Sequence, residues 1–233
     1  MFGGLGLGVG SGGQSGFASF DGDPLVVWLQ ANKNAEIDAN KAVSAWRDQS
    51  KNLRHAVQTT GTNQPRWSAV GGANKQPYIA FDGSDDYLRV LPFTLNQPIT
   101  IFSVAVPTVS STNNFSVYDG EGTNSMRLYF ASAGSTMVMQ AGASVSIVGV
   151  TPTAWHRFTC VYNGASSTFQ IDDGAVTTGN VGALNGSGLY LGIAGGAAVP
   201  SDSQIAEIIV FNRLLSTNEM TIVTNYLRGK YGV

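Results

Sequence analysis

Short runs rich in β-branched and aromatic residues recur along the chain, each cut off by turn-forming residues, and this rhythm limits the fold more than any other feature of the sequence. Residues 24–31 (PLVVWLQA) read as a buried strand, whereas residues 32–77 are polar and irregular. Residues 78–81 read as a strand that runs into the turn cluster Asp82-Gly83-Ser84-Asp85-Asp86, after which residues 87–91 resume extended structure. Within residues 99–106, Ile101, Ser103 and Ala105 fall on one face and Phe102, Val104 and Val106 on the other. Strands are predicted next over 115–118, 126–130, 137–140 and 145–150. In residues 155–162 Phe158, Cys160 and Tyr162 point one way, Arg157 and Thr159 the other. Asn163-Gly164 is a strong hairpin turn, residues 168–171 form the return strand, and 188–193 and 205–211 are the last two strands. About a dozen short strands, with no alternation of strand and helix, predict an all-β sandwich or barrel.

The helical period appears once. Ser216 is a good N-cap and Glu219, three residues on, completes a capping box. Ile222, Val223, Tyr226 and Leu227 then form an apolar stripe that docks on the sandwich. Arg228 and Lys230 suit the C-terminal end of the dipole, and Gly229 is placed as the helix stop.

Composition excludes several function classes. Hydrophobic residues make up 43% of the 233-residue chain, enough for a sizeable core, while only 12% are charged. The net charge is −2 and no basic run occurs, which argues against nucleic acid as a partner. No apolar run approaches the roughly 18 residues of a membrane span, so membrane insertion is not expected. The single cysteine, Cys160, rules out an intrachain disulfide and reads as a small buried residue of a strand. Residues 1–22 are studded with glycine and have no cation before Lys33, unlike a secretory signal. The expected organisation is a Gly-rich flexible or assembly arm, 1–22, followed by one domain, 23–233, made in a cytoplasm.

Four fragments in order carry a family resemblance. Trp46-Arg47-Asp48-Gln49-Ser50 with Asn52 and His55-Ala56 looks like W-x-D-x-S-G-N-x-x-H-A, with Lys51 in place of the usual Gly. Ile79 to Leu88, through Phe81-Asp82-Gly83 and Asp86-Tyr87, is similar to F-D-G-x-x-D-Y-L. Trp155-His156-Arg157-Phe158 through Asn163-Gly164 to Asp173-Gly174 resembles W-H-x-[VF]-x-x-V-Y-[ND]-G followed by a V-D-G hairpin. Ile205 to Ser216, with Glu207 and Phe211-Asn212-Arg213, is very like I-x-E-[IV]-x-[VI]-[FY]-N-R-x-L-S. Together they resemble the laminin G-like jelly rolls of the concanavalin A-like lectin/glucanase superfamily over roughly residues 24–233. The resemblance implies a two-sheet antiparallel jelly-roll sandwich with one short C-terminal α-helix. The lone jelly roll and Gly-rich leader also resemble small structural proteins of tailed bacteriophages. That likeness implies a virion protein of head or tail, attached to other virion proteins through residues 1–22, homo-oligomeric, with host-surface glycans as a possible ligand; the alternative is a non-viral carbohydrate-binding or adhesion module, with a glycoside hydrolase the least favoured reading.

Glu36-Ile37-Asp38-Ala39-Asn40 is similar to the E-[IL]-D-x-x-E of the superfamily's glucanases, whose paired carboxylates must flank a glycosidic bond. The final Glu is missing and the fragment is expected in a polar loop, so the chain is read as a non-enzyme. Asp82, Asp85 and Asp86 can supply oxygen ligands to Ca²⁺, with Asp119 and Glu121 as additions if their loop lies nearby; the alternative is a charged turn capping its own backbone. No other cofactor is implied. His55 and His156 belong to no recognisable triad and are expected to be structural. Of the tryptophans, Trp28, Trp46 and Trp155 are core candidates, and Trp67 is the candidate for stacking on a sugar. Gly4, Gly6 and Gly8 are arm glycines, not a phosphate loop.

Overall fold

The computed structural model describes residues 24–90, 92–107, 115–122, 126–131, 135–194 and 199–233. The Gly-rich segment 1–22 and Leu91 lie outside the described residues. Two large antiparallel sheets face each other. The first has eight strands. Across it run Thr177–Gly179, Ser167–Ile171, His156–Tyr162, Ile99–Pro107, Asp202–Phe211, Tyr78–Asp82 and Arg66–Ser68, and Leu25–Gln30 also pairs with Asp202–Phe211. The second has nine: Ser144–Val148, Thr136–Gln140, Arg127–Phe130, Phe115–Asp119, Leu189–Leu191, Leu88–Val90, Ala56–Val57, Val43–Trp46 and Ala35–Ile37. This is the expected jelly-roll sandwich, with one α-helix among the described residues, at the C-terminal end.

Strand alternation sorts the apolar residues into two clusters. Ile101, Ala105, Phe158, Cys160 and Tyr162 enter the core between the sheets, as their period requires. Phe102 and Val104 project from the other face of the first sheet, against the helix. The region 32–77 is not irregular: it contains Ala35–Ile37, Val43–Trp46, Ala56–Val57 and Arg66–Ser68. Each of these strands is too short to show a period, and their pairing is set by tertiary contacts rather than local pattern.

The helix spans Thr217–Tyr231 and starts with the expected capping box on Ser216 and Glu219. It does not stop at Gly229. It continues to Gly232, whose left-handed backbone (φ 74°) ends it with its N–H donating to the Arg228 carbonyl. The docked stripe is Val223, Leu227 and Tyr231, packed with Leu25, Trp28, Phe102, Ile209 and Phe211. Ile222 is 40% exposed, outside that stripe. Burial of Tyr231 extends the helix past Gly229 because the last turn gains apolar contact, worth about 2 kcal/mol for a large side chain.

A bulge fixes the helix to the sheet. Ile205, Ile208 and Val210 face the inner core while Ala206, Ile209 and Phe211 face the helix side. The register against Ile99–Pro107 shifts between Ile205 and Glu207, so Glu207 points outward beside Ala206 instead of into the core. There its fully buried carboxylate accepts from Trp28 Nε1 (2.6 Å), Lys230 Nζ (2.7 Å), Tyr231 OH (2.7 Å) and Tyr226 OH (2.9 Å). Asp48 makes a second knot. It accepts from the backbone N–H of Trp28 (2.7 Å), Ser50 (2.8 Å) and Arg54 (2.8 Å), and from the Ser50 hydroxyl (2.6 Å). Asn52 donates to the Leu25 carbonyl, so the Trp46–Ala56 motif ties the first strand down.

Candidate functional site

Register brings four side chains to one side of the first sheet. Arg66 pairs with Ala80, and Asp82 pairs with Asp202; Ala80 and Asp82 are two apart on the same strand. Arg66, Ala80, Asp82 and Asp202 therefore line one wall. The turn Gly61–Asn63 forms the other, and a cleft of about 400 Å³ lies between them, lined also by Thr62, Gln64 and Asp86. Gly83 allows the close approach: its φ is +75°, and a Cβ there would lie 3.0 Å from the Asp202 Cβ.

The acidic loop is partly occupied by its own backbone. Asp82 Oδ1 accepts from the N–H of Ser84 (2.8 Å) and Asp85 (3.4 Å), and Asp86 Oδ2 accepts from the N–H of Asp82 (3.1 Å). One oxygen from each of Asp82, Asp85 and Asp86 also falls within 4.8 Å of the others. Burial, followed by the charge of Asp82, pushes the Asp86 carboxyl up to about 6. Three carboxylates fit part of the oxygen shell that a hard cation such as Ca²⁺ takes. Asp119 and Glu121 do not join them. They lie at the second sheet, where Glu121 forms an ion pair with Arg89.

The other candidates are committed elsewhere. Trp67 is half-buried against the inner core, its indole N–H donates to the Ala31 carbonyl (2.7 Å), and Lys41 Nζ sits 5.9 Å from its ring centroid. Its strand neighbour Arg66, on the opposite face, is the residue that reaches the cleft. Glu36 is in the edge strand Ala35–Ile37 rather than a loop, paired with Arg47. Asp38 Oδ1 accepts from the N–H of Asn40 and Ala42, both at 2.8 Å.

His55 Nδ1 accepts the Asp48 N–H at 3.1 Å. His156 lies 2.7 Å from Asp172 through Nδ1 and 3.0 Å from the Thr151 carbonyl through Nε2. Burial lowers the His156 imidazole, but these hydrogen bonds outweigh it and raise it above its ordinary value. Cys160 is buried and its thiol is pushed up to about 12 by desolvation. Sequence reading missed Thr62, Gln64, Arg66 and Asp202. They come from separate segments, and only the pairing of Arg66–Ser68, Tyr78–Asp82 and Asp202–Phe211 unites them.

No protein-family model matches the chain, and no curated protein matches it. Solved structures do. The binding domain of Paraclostridial Mosquitocidal Protein 1 is similar at 13% identity and TM-score 0.61, covering 88% of this chain and 52% of that one. Trypanosoma rangeli sialidase, in complex with a difluoro-KDN ligand, is similar at 14% identity and TM-score 0.58, covering 86% of this chain and 32% of the sialidase. Botulinum neurotoxin type C, which depends on two ganglioside molecules to enter cells, is similar at 13% identity and TM-score 0.54, covering 88% and 51%. The chain thus spans about a third of the sialidase and about half of the toxin chains. At these identities the likeness establishes the fold alone: a two-sheet antiparallel jelly-roll sandwich.

Proposed function

We propose that this chain is a carbohydrate-binding module that holds a sugar in the cleft between the Asp82–Asp86 loop and the Gly61–Asn63 turn. The cleft carries the reading. Its volume of about 400 Å³ is that of a small-ligand pocket. One wall carries the carboxylates of Asp82 and Asp202 beside the Arg66 guanidinium, and the other carries the polar groups of Thr62 and Gln64. Sugar hydroxyls donate and accept at once, and adjacent hydroxyls match both a carboxylate and a guanidinium fork. The ganglioside dependence of the botulinum toxin and the ligand of the sialidase support this by analogy of fold. In this reading Asp82, Asp85 and Asp86 hold Ca²⁺, which offsets the crowding of their charges and fixes the loop. The module binds without catalysis.

A glycan array probed with labelled chain in Ca²⁺ and again in EDTA tests this. Binding should fall at least tenfold in Gln64→Ala/Asp202→Ala. No retained glycan under either condition, or unchanged binding by the variant, refutes the cleft.

The finer reading is a laminin G-like module displayed on a bacteriophage virion, head or tail, as a homo-oligomer held by residues 1–22. Its support is the Gly-rich sequence of that segment and the order of the four motifs. Deleting residues 1–22 should abolish incorporation into particles; normal incorporation overturns the anchoring role.

A further inference from the structure

Beyond the cleft, the outer face of the first sheet stays open for a short stretch before the helix covers it. Along Tyr78–Asp82 the inward Ile79 and Phe81 are buried, while Tyr78, Ala80 and Asp82 keep contact with solvent. Along Asp202–Phe211 Ser203 and Ile205 are buried, while Asp202 and Gln204 keep that contact. Ala206 is the first outward residue of this strand to be fully covered, in the cluster under the helix. Register sets Gln204 between Ala80 and the buried Val106. Tyr78 stands two residues before Ala80, about 7 Å along the strand. Trp155 arrives from the far side: it precedes His156, which pairs with Ala105, the neighbour of Val106.

Tyr78 and Trp155 meet over this stretch. Their ring centroids are 5.6 Å apart with the planes at 65°, and both are half-buried against the cluster under the helix. Gly72 backs the Tyr78 ring, since a Cβ there would lie 3.2 Å from its Cδ1. The two rings are therefore set before any ligand arrives, which lowers the ordering cost of binding. Their polar ends have no partner. Tyr78 OH, Trp155 Nε1 and the Gln204 amide make no hydrogen bond among the described residues, and none of these atoms is shut away from solvent.

This is the chemistry of a sugar position. Ring bodies take the C–H face of a pyranose, while a phenol, an indole N–H and an amide supply donors and acceptors to its hydroxyls. The place of the patch points the same way. Ala80 belongs to the cleft wall and sits beside Gln204, so a sugar chain with one ring in the cleft carries its next ring over Ala80 and Gln204 toward the aromatic pair.

We propose that the cleft opens onto a second sugar position, where Tyr78 and Trp155 take the C–H face of a ring and Gln204 its hydroxyls, so that the ligand is an oligosaccharide rather than a single sugar. This inference rests on the cleft reading and extends it.

A glycan array that carries each sugar both as a monosaccharide and as a linear oligomer tests it, probed with the full chain. At least one sugar should bind at least fivefold more tightly as the oligomer. Tyr78→Leu/Trp155→Leu should bring that oligomer down to the level of its monosaccharide. Gln204→Ala should remove part of the gain, and Trp155→Phe, which keeps an aromatic face, should retain most of it. Melting curves confirm that each variant is folded. Gln64→Ala/Asp202→Ala should weaken monosaccharide and oligomer alike. Oligomers bound no better than monosaccharides by the wild type, or a gain with length that survives in Tyr78→Leu/Trp155→Leu, overturn the second position and leave the cleft reading standing. Loss of monosaccharide binding in a folded Gln204→Ala overturns the separation of the two positions. Absence of any binding by the wild type overturns both readings.

Discussion

Replacing Glu207 with alanine removes a carboxylate that is fully buried and engaged by Trp28, Tyr226, Lys230 and Tyr231. The Lys230 side chain, 13% exposed, is left as a nearly buried ammonium, already pulled below its ordinary range by desolvation. Stranding one partner of a buried pair costs about 3–5 kcal/mol. Each hydroxyl or indole donor that water cannot reach adds about 1 kcal/mol. A loss near 5 kcal/mol corresponds to a fall of about 10–20 °C in Tm for a domain of this size. Calorimetry and urea titration followed by circular dichroism measure it. Glu207→Leu/Lys230→Met, which removes both charges, should regain about half of the loss, because two apolar groups leave no unpaired ion. A fall under 3 °C in the single variant, or a double variant no more stable than the single, would refute the view that this cluster fastens the helix.

Gly229→Ala should raise stability by about 0.5–1 kcal/mol in the same titration, since the position is helical and a Cβ there meets nothing within 4 Å; a loss would show that the last turn is strained. Because the folded state holds the His156 proton more tightly than the unfolded chain, the contribution of the His156–Asp172 pair is full below pH 6.5 and fades as pH climbs through the raised folded value. Wild-type stability should therefore fall relative to His156→Gln from pH 6.5 toward alkaline pH, and parallel curves for the two proteins contradict this.

The long, periodic segments were legible. Alternation in Ile99–Pro107 and His156–Tyr162 assigns inner and outer residues correctly, and Ser216 with Glu219 locates the helix start. What failed had no local signal. Gly229 carries the residue type of a helix stop, but the burial of Tyr231 two residues later overrides it. The outward turn of Glu207 comes from a one-residue bulge, which leaves the hydrophobic pattern around it almost unchanged. The acidic loop was visible as a candidate, whereas Thr62, Gln64 and Asp202 were not, since a cleft made by strand register has no spacing along the chain.

The strand Asp202–Phe211 lies in the middle of the first sheet, with Ile99–Pro107 on one side and both Tyr78–Asp82 and Leu25–Gln30 on the other. It is the last strand of this sandwich to be synthesised. Until it arrives, Leu25–Gln30 has no partner in its sheet and the two halves of that sheet cannot join. Contacts of such long sequence separation make folding slow, and the waiting strand edges are open to pairing between chains. Newly made chains would therefore depend on chaperones, or on low local concentration, until synthesis has passed Phe211.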